Sequence, residues 1–152
     1  MASAEKNIFI ETFEEIFSYL DFDLKFLNEV PLSTLSNVLQ HNILVGVSGS
    51  MRGNIIFSFN VKTFRELAAC MMGSEKANEE DIFAVSAVAD LFTEFCKRLI
   101  KFLNRNKEIF LSSPIGISGN GMTAMISPVP SKNLFFKLNG ERLAIAYYLE
   151  EI

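Results

Sequence analysis

The chain has no block of basic residues, no apolar run approaching the ~20 residues that span a bilayer, a single histidine and two cysteines. Each scarcity excludes something. Fourteen Lys and Arg stand against eighteen Asp and Glu, for a net charge of −4, and only Lys97, Arg98, Lys101 and Arg105 fall near one another. A nucleic-acid binder carries a basic footprint, so no nucleic acid is expected as a partner. Two cysteines are too few for the disulfide scaffold of a secreted domain, and MASAEKNIF lacks the basic and apolar regions of a signal peptide. A cytoplasmic location without membrane contact is the expectation. Cys70 and Cys96 both sit in amphipathic helical patterns, where a free thiol acts as a small hydrophobe.

Chemical motifs are equally sparse. His41 has no G-x-S-x-G nucleophile pattern beside it and reads as a structural or surface residue. One His and two distant Cys do not make a metal-ligand cluster. The G-V-S-G at Gly46 to Gly49 and the G-N-G at Gly119 to Gly121 match neither a dinucleotide nor a P-loop pattern, and read as turns or bulges.

What the chain does have is length and apolar content. At 152 residues, 49% apolar and 21% charged, it fits one globular domain over 1–152 with a real core. Ile8, Phe9, Phe13, Ile16, Phe17 and Leu20 recur at helical spacing and predict a first helix over Ala4 to Leu20. Asp21 to Pro31 reads as a connection and Leu35 to Leu39 as a short strand. HNILVGVSGS and RGNIIFSFNV, separated by Gly49-Ser50-Met51, read as a hairpin. Lys62 to Met72 returns to helical spacing and Gly73 marks its stop. The run from Asn78 begins N-E-E-D, a good helix start, and predicts a long helix ending near Asn106. Ile109 to Ser118, Met122 to Ser127, Asn133 to Leu138 and Arg142 to Glu150 read as strands, with an Asn139-Gly140 turn, and predict an antiparallel meander. Helices and strands do not alternate regularly, so the class is α+β with helices packed on an antiparallel sheet.

The long helix carries two faces. Ser86, Asp90, Thr93, Glu94, Lys97, Lys101 and Asn104 form a polar stripe, opposite Val85, Val88, Leu91, Phe92, Phe95, Leu99, Phe102 and Leu103. Glu94 and Arg98 stand at i,i+4 as a surface pair.

Four segments in order resemble the CheC/CheX phosphatases of bacterial chemotaxis, and specifically the single-site CheX-like branch. They are ILVGVSGSMRGNIIFSFN, the helix end AACMMG at Ala68 to Gly73, S-A-V-A-D-L from Ser86 to Leu91, and S-S-P-I-G-I-S-G from Ser112 to Gly119. The resemblance covers most of the chain from Ile43 to Gly119. It implies an α+β sandwich that often dimerises and that speeds hydrolysis of the aspartyl phosphate on the CheY-type response regulator. The regulator's receiver domain holds the phosphoryl group and Mg²⁺, so no cofactor of the chain's own is implied. An E-x-x-N motif on the long helix does the work: Glu pairs with a regulator lysine and Asn orients the attacking water, both on one helix face.

Carried over, the Glu position falls on Asp90 and the Asn position on Thr93, so the motif reads D-L-F-T. Asp keeps the charge on a shorter stem, whereas a Thr hydroxyl replaces a carboxamide of longer reach. The resemblance therefore implies docking on a phosphorylated receiver through Ser86, Asp90, Thr93, Glu94, Lys97 and Lys101, with weak or lost phosphatase activity. An active phosphatase using Asp90 and Thr93, or a homodimeric interaction module, are the alternatives.

Overall fold

The computed structural model of the protein describes residues 2–32, 35–37, 41–73, 81–103, 108–118, 123–125 and 131–151, with side chains over 6–29, 41–73, 81–103, 108–116 and 132–150. The elements run α1 (Ala2–Tyr19), β1 (Leu24–Leu32), β2 (Leu35–Asn37), β3 (His41–Gly49), β4 (Met51–Phe59), α2 (Val61–Met72), α3 (Ile82–Leu103), β5 (Ile109–Leu111), β6 (Ile115–Ser118), β7 (Thr123–Met125), β8 (Ser131–Leu138) and β9 (Glu141–Glu151). The fold is α+β. A seven-stranded antiparallel sheet has the order β1-β8-β9-β4-β3-β5, with β6 also on β3, and β2 pairs with β7 in a separate ribbon.

The predicted hairpin forms β3 and β4, in register from His41↔Phe59 to Val47↔Gly53. Its alternation places Ile43, Val45, Val47, Ile55, Phe57 and Phe59 in the core, under the helices. At Gly53 the two backbones come so close that a Cβ would run into the Tyr148 carbonyl oxygen of β9, and φ is +154°, so only glycine fits.

The helices follow their apolar periodicity. From α1, Phe9, Phe13, Ile16 and Phe17 are buried; from α3, Val88, Leu91, Phe92, Phe95, Cys96 and Leu99. The Phe13 ring is a hub, 4.3 Å from Phe95, 5.2 Å from Phe136, 6.0 Å from Phe57 and 6.4 Å from Phe92, centroid to centroid. It ties α1 and α3 to the sheet through ring contacts that add to simple burial. α3 packs against both α1 and α2 and is the middle helix of the layer. Local chemistry sets the ends of α2. The Asn60 Oδ1 accepts from the Thr63 amide at 2.9 Å at its start, and Gly73 takes a left-handed conformation (φ 66°) at its end, its N–H reaching the Ala69 carbonyl. The Asn60 amide also donates to Glu141 at 2.8 Å, and Lys62 stands 3.2 Å from the same carboxylate, which fastens α2 to the β8–β9 hairpin.

Several expectations need correction. The stretch Asp21 to Pro31 is mostly strand β1, paired with β8 from Leu24↔Leu138 to Leu32↔Ser131 and bulged between Phe26 and Asn28. Its pattern is broken by that bulge, and its proline is tolerated because β1 is an edge. The single strand expected over Ile109 to Ser118 is two, β5 and β6, both on β3. Between the pairs Val47↔Leu111 and Leu44↔Ile115, Ser112, Ser113 and Pro114 face only Val45 and Gly46, so the extra residue and a proline without an N–H break the ladder. The expected meander of the last four strands is therefore wrong. Only β8 and β9 form a hairpin, through Asn139 (φ 48°) and Gly140 (φ 83°), while β7 pairs with β2. Cys70 is exposed rather than packed. Val85 and Phe102, assigned to the core face of α3, are 38% and 49% exposed. The Asn78 start, the end near Asn106, Asn104, Arg105, Val38, Leu39, the Gly119 to Gly121 turn and Pro128 to Pro130 lie outside the described residues. Within them, α3 starts at Ile82, with Asp81 Oδ1 accepting from the Phe83 amide at 2.9 Å.

Candidate functional site

The buried seam of α3 sets the direction of its polar stripe. With Val88, Leu91, Phe92 and Phe95 in the core, Ser86, Asp90, Glu94, Lys97 and Lys101 are exposed and Thr93 is half-buried. Asp90 and Thr93, three apart, share one helix face. The structure thus brings together Ser86, Asp90, Thr93, Glu94, Lys97 and Lys101 as one outward stripe. Phe92 and Phe95, neighbours of the motif in sequence, are 0% and 1% exposed and take no part in that surface.

Two details qualify what the stripe can do. The Thr93 Oγ1 donates to the Ala89 carbonyl oxygen at 2.9 Å, so its one proton is used within the helix and only its lone pairs face outward. Glu94 does not stand alone: the Arg98 Nε lies 3.6 Å from its carboxylate, and the same guanidinium reaches Glu15 of α1 at 3.3 Å. These exposed pairs are worth about 0.2–1 kcal/mol each.

Beside the stripe, the sequence reading missed a cleft of about 380 Å³. Ile82, Val85, Ser86, Ala89 and Asp90 of α3 form one wall, His41, Ile43, Phe59 and Phe64 the floor, and Pro114 and Gly116 the far wall. Small residues, Ser86 and Ala89 of α3 and Gly116 of β6, are among those that line the cleft. His41 is 8% exposed, with its ring 5.1 Å from Phe64 and 6.2 Å from Phe59. Expected to be structural or at the surface, it is buried in the cleft floor near the Asp90 face. Nothing local could have shown this, since β6, His41 and Ser86 meet only through the sheet.

Among the described residues no group of three or more His, Cys, Asp or Glu could hold a metal ion, and no helix is long and apolar enough to cross a membrane. Burial pushes the Cys96 thiol far above its ordinary range, so it is no nucleophile.

An antiparallel sheet under three helices, with α3 in the middle, defines an α+β protein of CheX-like fold. Comparison with known proteins agrees. The chemotaxis protein CheX of Desulfovibrio desulfuricans superposes with a TM-score of 0.83 at 16% identity, covering 97% of this chain and 99% of that one. CheX of Vibrio vulnificus gives 0.80 at 16%, covering 97% and 99%. A CheX of Borrelia burgdorferi, crystallised with CheY, BeF3 and Mg²⁺, gives 0.67 at 17%, covering 95% and 97%. In sequence, the CheY-P phosphatase CheX of Thermotoga maritima is 28% identical over 94 residues, 59% of this chain and 61% of that protein, so the match spans less than two thirds of the relative. No protein-family profile matches the chain. The chain has the CheX-like fold and is distantly related in sequence to a CheY-P phosphatase.

Proposed function

We propose that this is a cytoplasmic signalling protein that docks on the phosphorylated receiver domain of a CheY-type response regulator through the outer face of α3, with weak or lost aspartyl-phosphate phosphatase activity. Support for docking comes from the CheX-like fold, the relative crystallised with CheY, and the exposed Asp90-Lys97-Lys101 stripe. The observation that carries the loss of activity is the Thr93 hydroxyl. Bonded back to Ala89, it offers an incoming water no donor and has the reach of neither arm of a carboxamide. Losing such positioning is worth roughly 10²-fold or more in rate. Mg²⁺ and the phosphoryl group belong to the receiver in this reading, and Asp90 supplies charge for a cation on the partner surface. Self-association through an open sheet edge, at β1 or at β5 and β6, is compatible with this docking.

The test is the decay of phosphorylated receivers from the same genome with and without the protein. Saturable binding with unchanged decay, and faster decay on Thr93→Asn, are expected. Acceleration by the wild-type chain that vanishes in Asp90→Ala would establish an active phosphatase instead. Absence of binding to every receiver would overturn the proposal.

A further inference from the structure

The cleft beside Asp90 has a polarity of its own. Among the described residues lining it, Asp90 is the one that carries a full charge, and it is exposed, at the mouth. No Lys or Arg is among them. Beneath the mouth the rings of His41, Phe59 and Phe64 cluster with centroids 5.1 to 6.4 Å apart and are almost fully buried, so the accessible apolar lining is Ile82 and Val85 of α3. The volume of about 380 Å³ falls in the range that encloses small organic ligands. A carboxylate at the mouth beside an exposed apolar wall is complementary to a cation on an apolar body. The charge pairs with Asp90 and the body covers the apolar wall of Ile82 and Val85.

We propose that this cleft binds a small amphipathic amine, with its ammonium against Asp90 and its aromatic or branched body on Ile82 and Val85. An anion is disfavoured by Asp90, and a wholly apolar ligand makes no use of that carboxylate. Because Asp90 also lies on the face assigned to the receiver, the bound amine occupies a docking residue and reports a small-molecule signal to the partner. That regulatory consequence, and not the binding itself, rests on the proposed function above.

The test needs no receiver. The whole protein is titrated at pH 8 with 2-phenylethylamine, 1-aminobutane and 3-phenylpropionate, read by calorimetry and by ¹H–¹⁵N chemical-shift changes. Two variants leave the core alone. Asp90→Asn keeps the shape of the mouth and removes its charge. Gly116→Leu fills the cleft: Gly116 pairs with the buried Ile43 across β3–β6, so a side chain there points to the helix side, and its Cβ meets no atom within 4 Å. Saturable binding of 2-phenylethylamine, with shifts on α3 and β3 and at least tenfold weakening in both variants, is the expected result. Three outcomes overturn the proposal. The carboxylate binding as well as the amine removes the role of Asp90, and no saturable binding removes the site. Tighter binding of 1-aminobutane, the analogue of a lysine side chain, reassigns the cleft to a partner's lysine. Receiver docking is measured separately, so it survives or fails independently of all three.

Discussion

Phe92 sits between the two motif residues Asp90 and Thr93 and points the opposite way, so Phe92→Ala tests whether core packing is what holds the stripe outward. The side chain is 0% exposed, and its ring lies 4.5 Å from Phe57, 5.3 Å from Phe59 and 6.4 Å from Phe13. Truncation removes the transfer free energy of the ring and leaves a cavity. Its walls are on β4 and α1, where Phe57, Phe59 and Phe13 are themselves fully packed, so little collapse is available. A loss of about 3–5 kcal/mol follows. Against a stability of roughly 5–15 kcal/mol this is a large share. At roughly 2–4 °C per kcal/mol for a chain of this size, Tm falls by roughly 6–20 °C. The assay is urea unfolding followed by circular dichroism, with Phe102→Ala as the control on the same helix. Phe102 is 49% exposed, and its truncation costs less than about 1 kcal/mol. Equal losses in the two variants, or a Phe92→Ala loss below about 1 kcal/mol with an unchanged denaturant slope, would refute the packing argument.

Gly53→Ala places a methyl group against the Tyr148 carbonyl with φ at +154°, and strain with overpacking costs about 2–4 kcal/mol; thermal melts that match wild type would show the β4–β9 approach to be wrong. Hydrogen bonding from Asn60, then from Lys62, holds the Glu141 carboxyl below its ordinary value. A folded-state pKa below the unfolded one contributes stability above the unfolded pKa and loses it as pH falls through the folded one, so the Glu141 share is present at pH 7 and disappears below the ordinary carboxylate range. Glu141→Gln is therefore expected to lower stability at pH 7 and to flatten the acid limb of a pH-melt series; an unchanged limb counts against the contact. Cys70, exposed, reacts with a thiol reagent in the native protein, whereas Cys96, buried with its thiol pushed far up, reacts only on unfolding. Two equivalents of fast native reaction would contradict the burial of Cys96.

Local signals in the sequence determined a good deal. Phenylalanines at helical spacing specified α1 and the inward seam of α3. A side-chain acceptor and a left-handed glycine specified the ends of α2, and Asn139-Gly140 specified the β8–β9 turn. The apolar seam also fixes which way Asp90 and Thr93 point, since a helix that buries Phe92 and Phe95 must turn them outward. These features depend on residues a few positions apart. The tertiary structure alone decided the rest. β1 became a strand because β8 offered its edge, in spite of a bulge and a proline in its own sequence. β5 and β6 returned to β3 instead of forming a meander, a pairing between segments far apart in the chain that no local period encodes. That return put Gly116 opposite Ile43, opened the cleft over His41 and set it beside Asp90. The helix stripe could be read from the chain one turn at a time, while the cleft exists only where three distant segments meet.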